Sequence, residues 1–79
     1  MTIEVRLFAD LARYLPPGAR GGASRLDVPE GATVGDVRGC LGIPADFPGL
    51  FLLNGHEVAS DHRMGPGDVL DIIPPLSGG

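Results

Sequence analysis

The dipeptide Asn54-Gly55 stands between two strand-like runs, Leu50–Leu53 and His56–Ala59. A two-residue hairpin turn matched to the strand twist needs positive φ at both central positions, and Asn-Gly is the pair that adopts it with least strain. LFLLNGHEVA is therefore predicted to be a tight antiparallel hairpin. A lone hairpin is marginal in water, so other strands must join it. Thr2–Phe8 (TIEVRLF) alternates, with Ile3, Val5 and Leu7 on one face and Thr2, Glu4 and Arg6 on the other, the pattern of a half-buried strand. Ser24–Val28 places Leu26 and Val28 on a shared face. Val69–Ile73, entered through the turn Gly65-Pro66-Gly67-Asp68, points Leu70 and Ile72 the same way.

Between these strands the pattern changes to helical. Ala9–Leu15 carries Leu11, Tyr14 and Leu15 at helical spacing over about two turns, until Pro16-Pro17-Gly18 stops it. Ala19–Ala23 reads as a flexible loop. Thr33 is a predicted N-cap, and Asp36 occupies the capping-box position three residues later. Val34, Val37 and Leu41 share a helical face, with Cys40 expected to be buried beside them. Gly42 ends this helix as a left-handed cap, and Pro44 prevents its restart. Gly35 and Gly39 each weaken it by roughly 1 kcal/mol relative to alanine, and they are expected to let its backbone lie close to a sheet. The fold class is α+β: a mixed sheet of four to five strands with one main helix on one face. Residues 1–75 form the domain, and 76–79 form a flexible tail ending in Gly-Gly.

The 79 residues make one domain with an ordinary hydrophobic fraction of 43%. Net charge is −4 and all six basic residues are arginine. An acidic chain lacks the concentrated cationic face that nucleic acid requires. Without lysine there is no Walker A loop, no Schiff-base chemistry and no internal ε-amine acceptor. The single Cys40 permits no internal disulfide, and no apolar run approaches the roughly 20 residues that span a bilayer. The expectation is a cytoplasmic protein that meets neither nucleic acid nor membrane.

Catalytic equipment is equally sparse. Cys40, His56 and His62 lack zinc-site spacing, so no metal site is expected. Ser24, Ser60 and Ser77 have no nucleophile-elbow context. Asp27/Glu30 and Asp68/Asp71 read as solvated turn and strand-end charges, and Gly18–Gly22 as a floppy loop rather than a phosphate cradle. The chain is not expected to be an enzyme by itself.

What remains is the final stretch, IIPPLSGG. Pro74 and Pro75 cannot donate to a sheet ladder, so they end the last strand and hold the chain extended. From Pro74 to Gly79 that gives a reach of about 20 Å. Gly78 and Gly79 have no Cβ, so the tip fits a channel too narrow for other residues. A stiff stem with a slender tip bearing a carboxylate suits insertion into another protein's active site. Alternation places Phe8 and Ile73 on the face away from the core, close to this stem.

VRLFADLARYL (Val5–Leu15), PEGATVGDV (Pro29–Val37), LNG (Leu53–Gly55), GDVLDIIPP (Gly67–Pro75) and the terminal Gly-Gly together give a resemblance over nearly the whole chain. The sequence resembles the MoaD/ThiS family of β-grasp, ubiquitin-like sulfur carriers, and within it the small subunit of molybdopterin synthase. The resemblance implies that a partner adenylating enzyme, using ATP and Mg²⁺, activates the Gly79 carboxylate, with Gly78 giving access. A sulfur donor such as a cysteine desulfurase or rhodanese would then leave a thiocarboxylate, the sulfide source for a large synthase subunit in molybdopterin biosynthesis. No cofactor would be held by the chain itself. Phe8, Ile73, Pro74, Pro75, Leu76 and Ser77 would meet the partners. Ile72-Ile73 stands where the family typically has an aromatic pair. Carriers for thiazole, tungsten cofactor or other thiometabolites belong to the same family. A ubiquitin-like modifier conjugated through Gly79 and a β-grasp interaction module with an idle tail are the rival readings.

Overall fold

The computed structural model describes residues 1–75. Its elements run β1 (Thr2–Leu7), a six-residue 3-10 helix (Ala9–Tyr14), β2 (Ala23–Asp27), α1 (Val34–Cys40), β3 (Leu50–Leu53), β4 (His56–Val58) and β5 (Val69–Ile73). The five strands form one sheet in the order β2-β1-β5-β3-β4. β1 pairs with β5 in parallel and every other pairing is antiparallel, so the sheet is mixed. This is the expected α+β β-grasp, with the helix on one face.

Alternation decides which side of the sheet is covered. Ile3, Val5 and Leu7 of β1 and Leu70 and Ile72 of β5 are buried together with Val34 and Val37 of α1. Six of the largest side chains are essentially inaccessible, and burying each contributes about 1.5–3 kcal/mol. The short α1 is held by these contacts and by its start. Thr33 Oγ1 accepts from the Asp36 N–H at 3.1 Å while the Asp36 carboxylate accepts from the Thr33 N–H at 2.9 Å, the complete capping box. Those bonds hold the Asp36 carboxyl below its ordinary range, the backbone bond foremost. The helix stops at Leu41, and Gly42 follows at φ 84°.

The Asn54-Gly55 turn forms as predicted, with φ of 51° and 88°. Its side chain is also a clamp. Asn54 Oδ1 accepts from the Val69 N–H and its Nδ2 donates to Asp68 Oδ1, tying the hairpin to the start of β5.

Four expectations need correction. Ala9–Leu15 is a 3-10 helix ending at Tyr14 rather than an α-helical segment, because it opens with Ala9 at φ 53° and has no length in which to relax. Residues 19–23 are not a loose loop: Gly21 and Gly22 take positive φ, and Arg20 and Ala23 exchange both backbone hydrogen bonds at 3.0 and 3.1 Å. Cys40 is exposed, not buried. At about 100° per residue it lies well to one side of the Val34–Val37–Leu41 stripe. The helix glycines do not approach the sheet. Gly35 lies against Ser60, to whose carbonyl its N–H donates at 2.7 Å, and nothing lies near the Cβ position of Gly39.

Candidate functional site

The helix covers one face of the sheet, and the alternate positions of the same strands form the other. Leu50 and Leu52 of β3 oppose Ile73 and Asp71 of β5, so all four side chains share that open face. Phe8 continues the alternation of Glu4 and Arg6 with extended backbone, and its N–H reaches the Ile72 carbonyl at 3.4 Å. Phe8 and Leu50 are the exposed large hydrophobics among the described residues, at 42% and 44%. They flank Ile73, which is half-buried, as is Pro74, and Pro75 beyond it is exposed. The structure therefore brings Phe8, Ile73, Pro74 and Pro75 to one end of the open face. Leu76, Ser77, Gly78 and Gly79 lie outside the described residues. Leu50 and Leu52 are additional members of the patch. The run LFLL is apolar throughout, so the sequence alone does not say which of its residues face out.

Beside this apolar end lies an ion pair. Arg6 and Asp71 are partners in the parallel β1–β5 register. Arg6 Nε and Nη2 donate to the two carboxylate oxygens at 2.5 and 2.8 Å, a bidentate fork. Asp71 is only 7% exposed although it sits on the uncovered face, because the Arg6 side chain lies over it. The hydrogen bond to Asp71, and then its charge, raise the Arg6 pKa further above its ordinary value. The expectation that Asp71 is a solvated strand-end charge is thus overturned. Asp68 is engaged as well, accepting from the Gly65 N–H at 2.7 Å.

The other chemistry-bearing side chains stay apart. His56 on β4, His62 in the connection after it and Cys40 at the end of α1 are exposed at separate places, and no group of three or more His, Cys, Asp or Glu among the described residues is arranged to hold a metal ion. Ser24 Oγ lies 3.4 Å from the Arg25 carbonyl, not from a base. What the described residues can do chemically is dock: an apolar end, a polar anchor beside it, and a proline stem leaving from between them.

The family model of the Mut7-C ubiquitin matches residues 1–77. The chain belongs to the Mut7-C ubiquitin family. Among solved structures, SAMP1 from Haloferax volcanii matches this Mut7-C ubiquitin with a TM-score of 0.76 at 32% identity, covering 100% of both chains. A putative molybdopterin converting factor subunit 1 from Pyrococcus furiosus gives a TM-score of 0.68 at 23% identity over 95% of this chain and 98% of that one. The complex of subunits 1 and 2 of the molybdopterin-converting factor from Helicobacter pylori gives 0.63 at 20% identity, with 100% of both chains covered. The last two establish a shared fold. The chain is thus a ubiquitin-like protein, and it shares the β-grasp fold of the molybdopterin converting factor subunit 1 structures. No helix among its described residues is long and apolar enough to cross a membrane.

Proposed function

We propose that this chain is a cytoplasmic sulfur carrier whose working group is the carboxylate of Gly79, beyond the proline pair Pro74-Pro75. One observation carries the reading: Phe8 and Leu50 flank Ile73, where β5 hands over to Pro74-Pro75. An apolar rim around the root of a stem lets an enzyme dock on the rim and draw the stem into its active site. The carboxylate attacks the α-phosphorus of ATP in an adenylating partner that holds Mg²⁺, and pyrophosphate leaves. The outer sulfur of a cysteine persulfide on a desulfurase or rhodanese then attacks the acyl-adenylate, and AMP leaves. A second thiol cleaves the resulting acyl disulfide, forming an S–S bond with the donor cysteine and releasing the thiocarboxylate. Activation is needed because a carboxylate is a poor electrophile until its oxygen becomes a leaving group. In this reading Gly78 gives the terminus access, Leu76 and Ser77 meet the partners, and ATP and Mg²⁺ are held by the partner rather than by this chain. The recipient proposed is the large subunit of a molybdopterin synthase. The subunit 1 and 2 complex of the Helicobacter pylori fold relative supports that choice.

A second reading has its own support, since the relative at 31% identity is named small archaeal modifier protein 1. In that role Gly79 would be joined to lysines of other proteins. The intact mass of the chain purified from its own cells separates the two. Exchange of one oxygen for one sulfur at the terminus supports the carrier, and Gly-Gly remnants on target lysines support the modifier. Deleting Gly79 without loss of either product overturns both.

A further inference from the structure

We infer that Gly49 positions the root of the tail by fixing the Ile73 carbonyl, and with it the direction in which Pro74 leaves the sheet. The inference rests on the proposal that the tail is the working part. Gly49 immediately precedes β3 and is half-buried beside Leu50, whose register partner is Ile73. A Cβ placed on Gly49 would coincide with two neighbours at once, the Ile73 carbonyl oxygen and the edge of the Phe47 ring, both closer than any real methyl approaches. The next tightest glycines, Gly35 and Gly22, have 3.1 and 3.3 Å to their nearest atom. Gly49 is not among the residues with positive φ, so space and not conformation demands glycine there.

The Ile73 carbonyl matters because of what is bonded to it. It lies in one plane with the Pro74 nitrogen and its ring carbons. Proline fixes its own φ and restricts the residue before it to extended backbone. Few torsions are left to absorb a displacement at this point, so the orientation of that one carbonyl passes directly to Pro74 and Pro75. Extended proline residues rise about 3.1 Å each, so a change in direction at Ile73 becomes a larger displacement across Pro74 and Pro75. Phe47 forms the other wall of the clamp. Its ring packs tilted against Phe51 at 6.4 Å between centroids, and Phe51 is the register partner of Ile72. The wall is thereby braced by β3, the strand paired with the one whose end it holds.

The test uses isotope-labelled wild-type chain and the variants Gly49→Ala and Phe47→Ala. Each is compared by NMR and offered to the adenylating enzyme of the source organism in an ATP–pyrophosphate exchange assay. Gly49→Ala is expected to move the Ile73 carbonyl and Pro74 resonances. It should lower kcat about tenfold while KM for the chain stays within about twofold, since the docking rim is untouched. Phe47→Ala removes a wall without inserting an atom, and Phe47→Leu, which keeps most of the ring's volume, takes its place if it does not fold. It should lower kcat about threefold with KM again unchanged. An unmoved Ile73 carbonyl in either folded variant, or a KM that rises in step with the fall in kcat, overturns the inference. If the wild-type chain itself supports no exchange, the carrier reading fails, and the NMR comparison alone decides the role of Gly49.

Discussion

Arg6 and Asp71 lie 65 residues apart in sequence and directly across from each other in the parallel β1–β5 pair, joined by two hydrogen bonds on the open face of the sheet. Without the arginine, Asp71 loses both donors but is also uncovered to water on that face, since Arg6 is what shields it. The pair therefore couples modestly, as a partly exposed bidentate bridge does, rather than as a buried one.

A double-mutant cycle should therefore be non-additive. Arg6→Ala is expected to lower the urea midpoint more in the wild-type background than in Asp71→Ala. Equal shifts in both backgrounds, read by circular dichroism, would remove the pair from any account of stability.

Phe8 and Leu50 separate docking from folding. Both are exposed, so Phe8→Ala and Leu50→Ala should each change stability by no more than about 0.5 kcal/mol. Each should raise KM for the chain in the pyrophosphate-exchange assay about tenfold, equivalent to about 1.4 kcal/mol of binding. Calorimetry and exchange kinetics on the same preparations check the two halves.

The helix glycines differ in sign. Gly39 has open space and no positive φ, so Gly39→Ala should stabilise the chain by about 1 kcal/mol. Gly35→Ala should yield less than that or destabilise, since its methyl meets the Ser60 carbonyl oxygen at 3.1 Å. Thermal melts of the two variants side by side provide the comparison.

Acid should undo the capping box. Asp36 has its folded pKa depressed below the ordinary 3.8, so its contribution is complete above the unfolded value and is lost as pH falls through the folded one. Thr33→Ala removes the side-chain cap but keeps the backbone N–H at position 33 that is the main cause of the depression, whereas Asp36→Asn removes the titrating group itself. The first is expected to cost about 1 kcal/mol at neutral pH, and the second to make the acid decline shallower. Urea titrations from neutral into acid pH test both.

Much of this architecture is local and therefore readable. Period-two alternation in TIEVRLF fixes a strand and its buried side, Asn54-Gly55 fixes a turn, and Thr33 with Asp36 fixes a helix start, each within a few residues. What escapes is whatever depends on strand partners. The burial of Asp71 follows from the parallel register with β1, and the position of Leu50 at the tail root follows from its pairing with Ile73. No spacing in the sequence encodes either. Cys40 was legible as helical but not as exposed, because in seven residues the width of the buried stripe is set by what packs on it. Gly49 is silent for the same reason, since what demands glycine there is the meeting of the nearby Phe47 ring with a carbonyl oxygen 24 positions further along the chain.

The parallel β1–β5 pair also governs the order of events during synthesis. Its two strands are the first and last of the domain and lie side by side in the middle of the sheet. A growing chain has nothing to set against β1 on that side until Val69–Ile73 has cleared the ribosome. The body can therefore close only when the stem's root has already been made. A nascent chain broken off before β5 would lack the central partner of both β1 and β3, leaving a species for proteases rather than a folded domain without its tip.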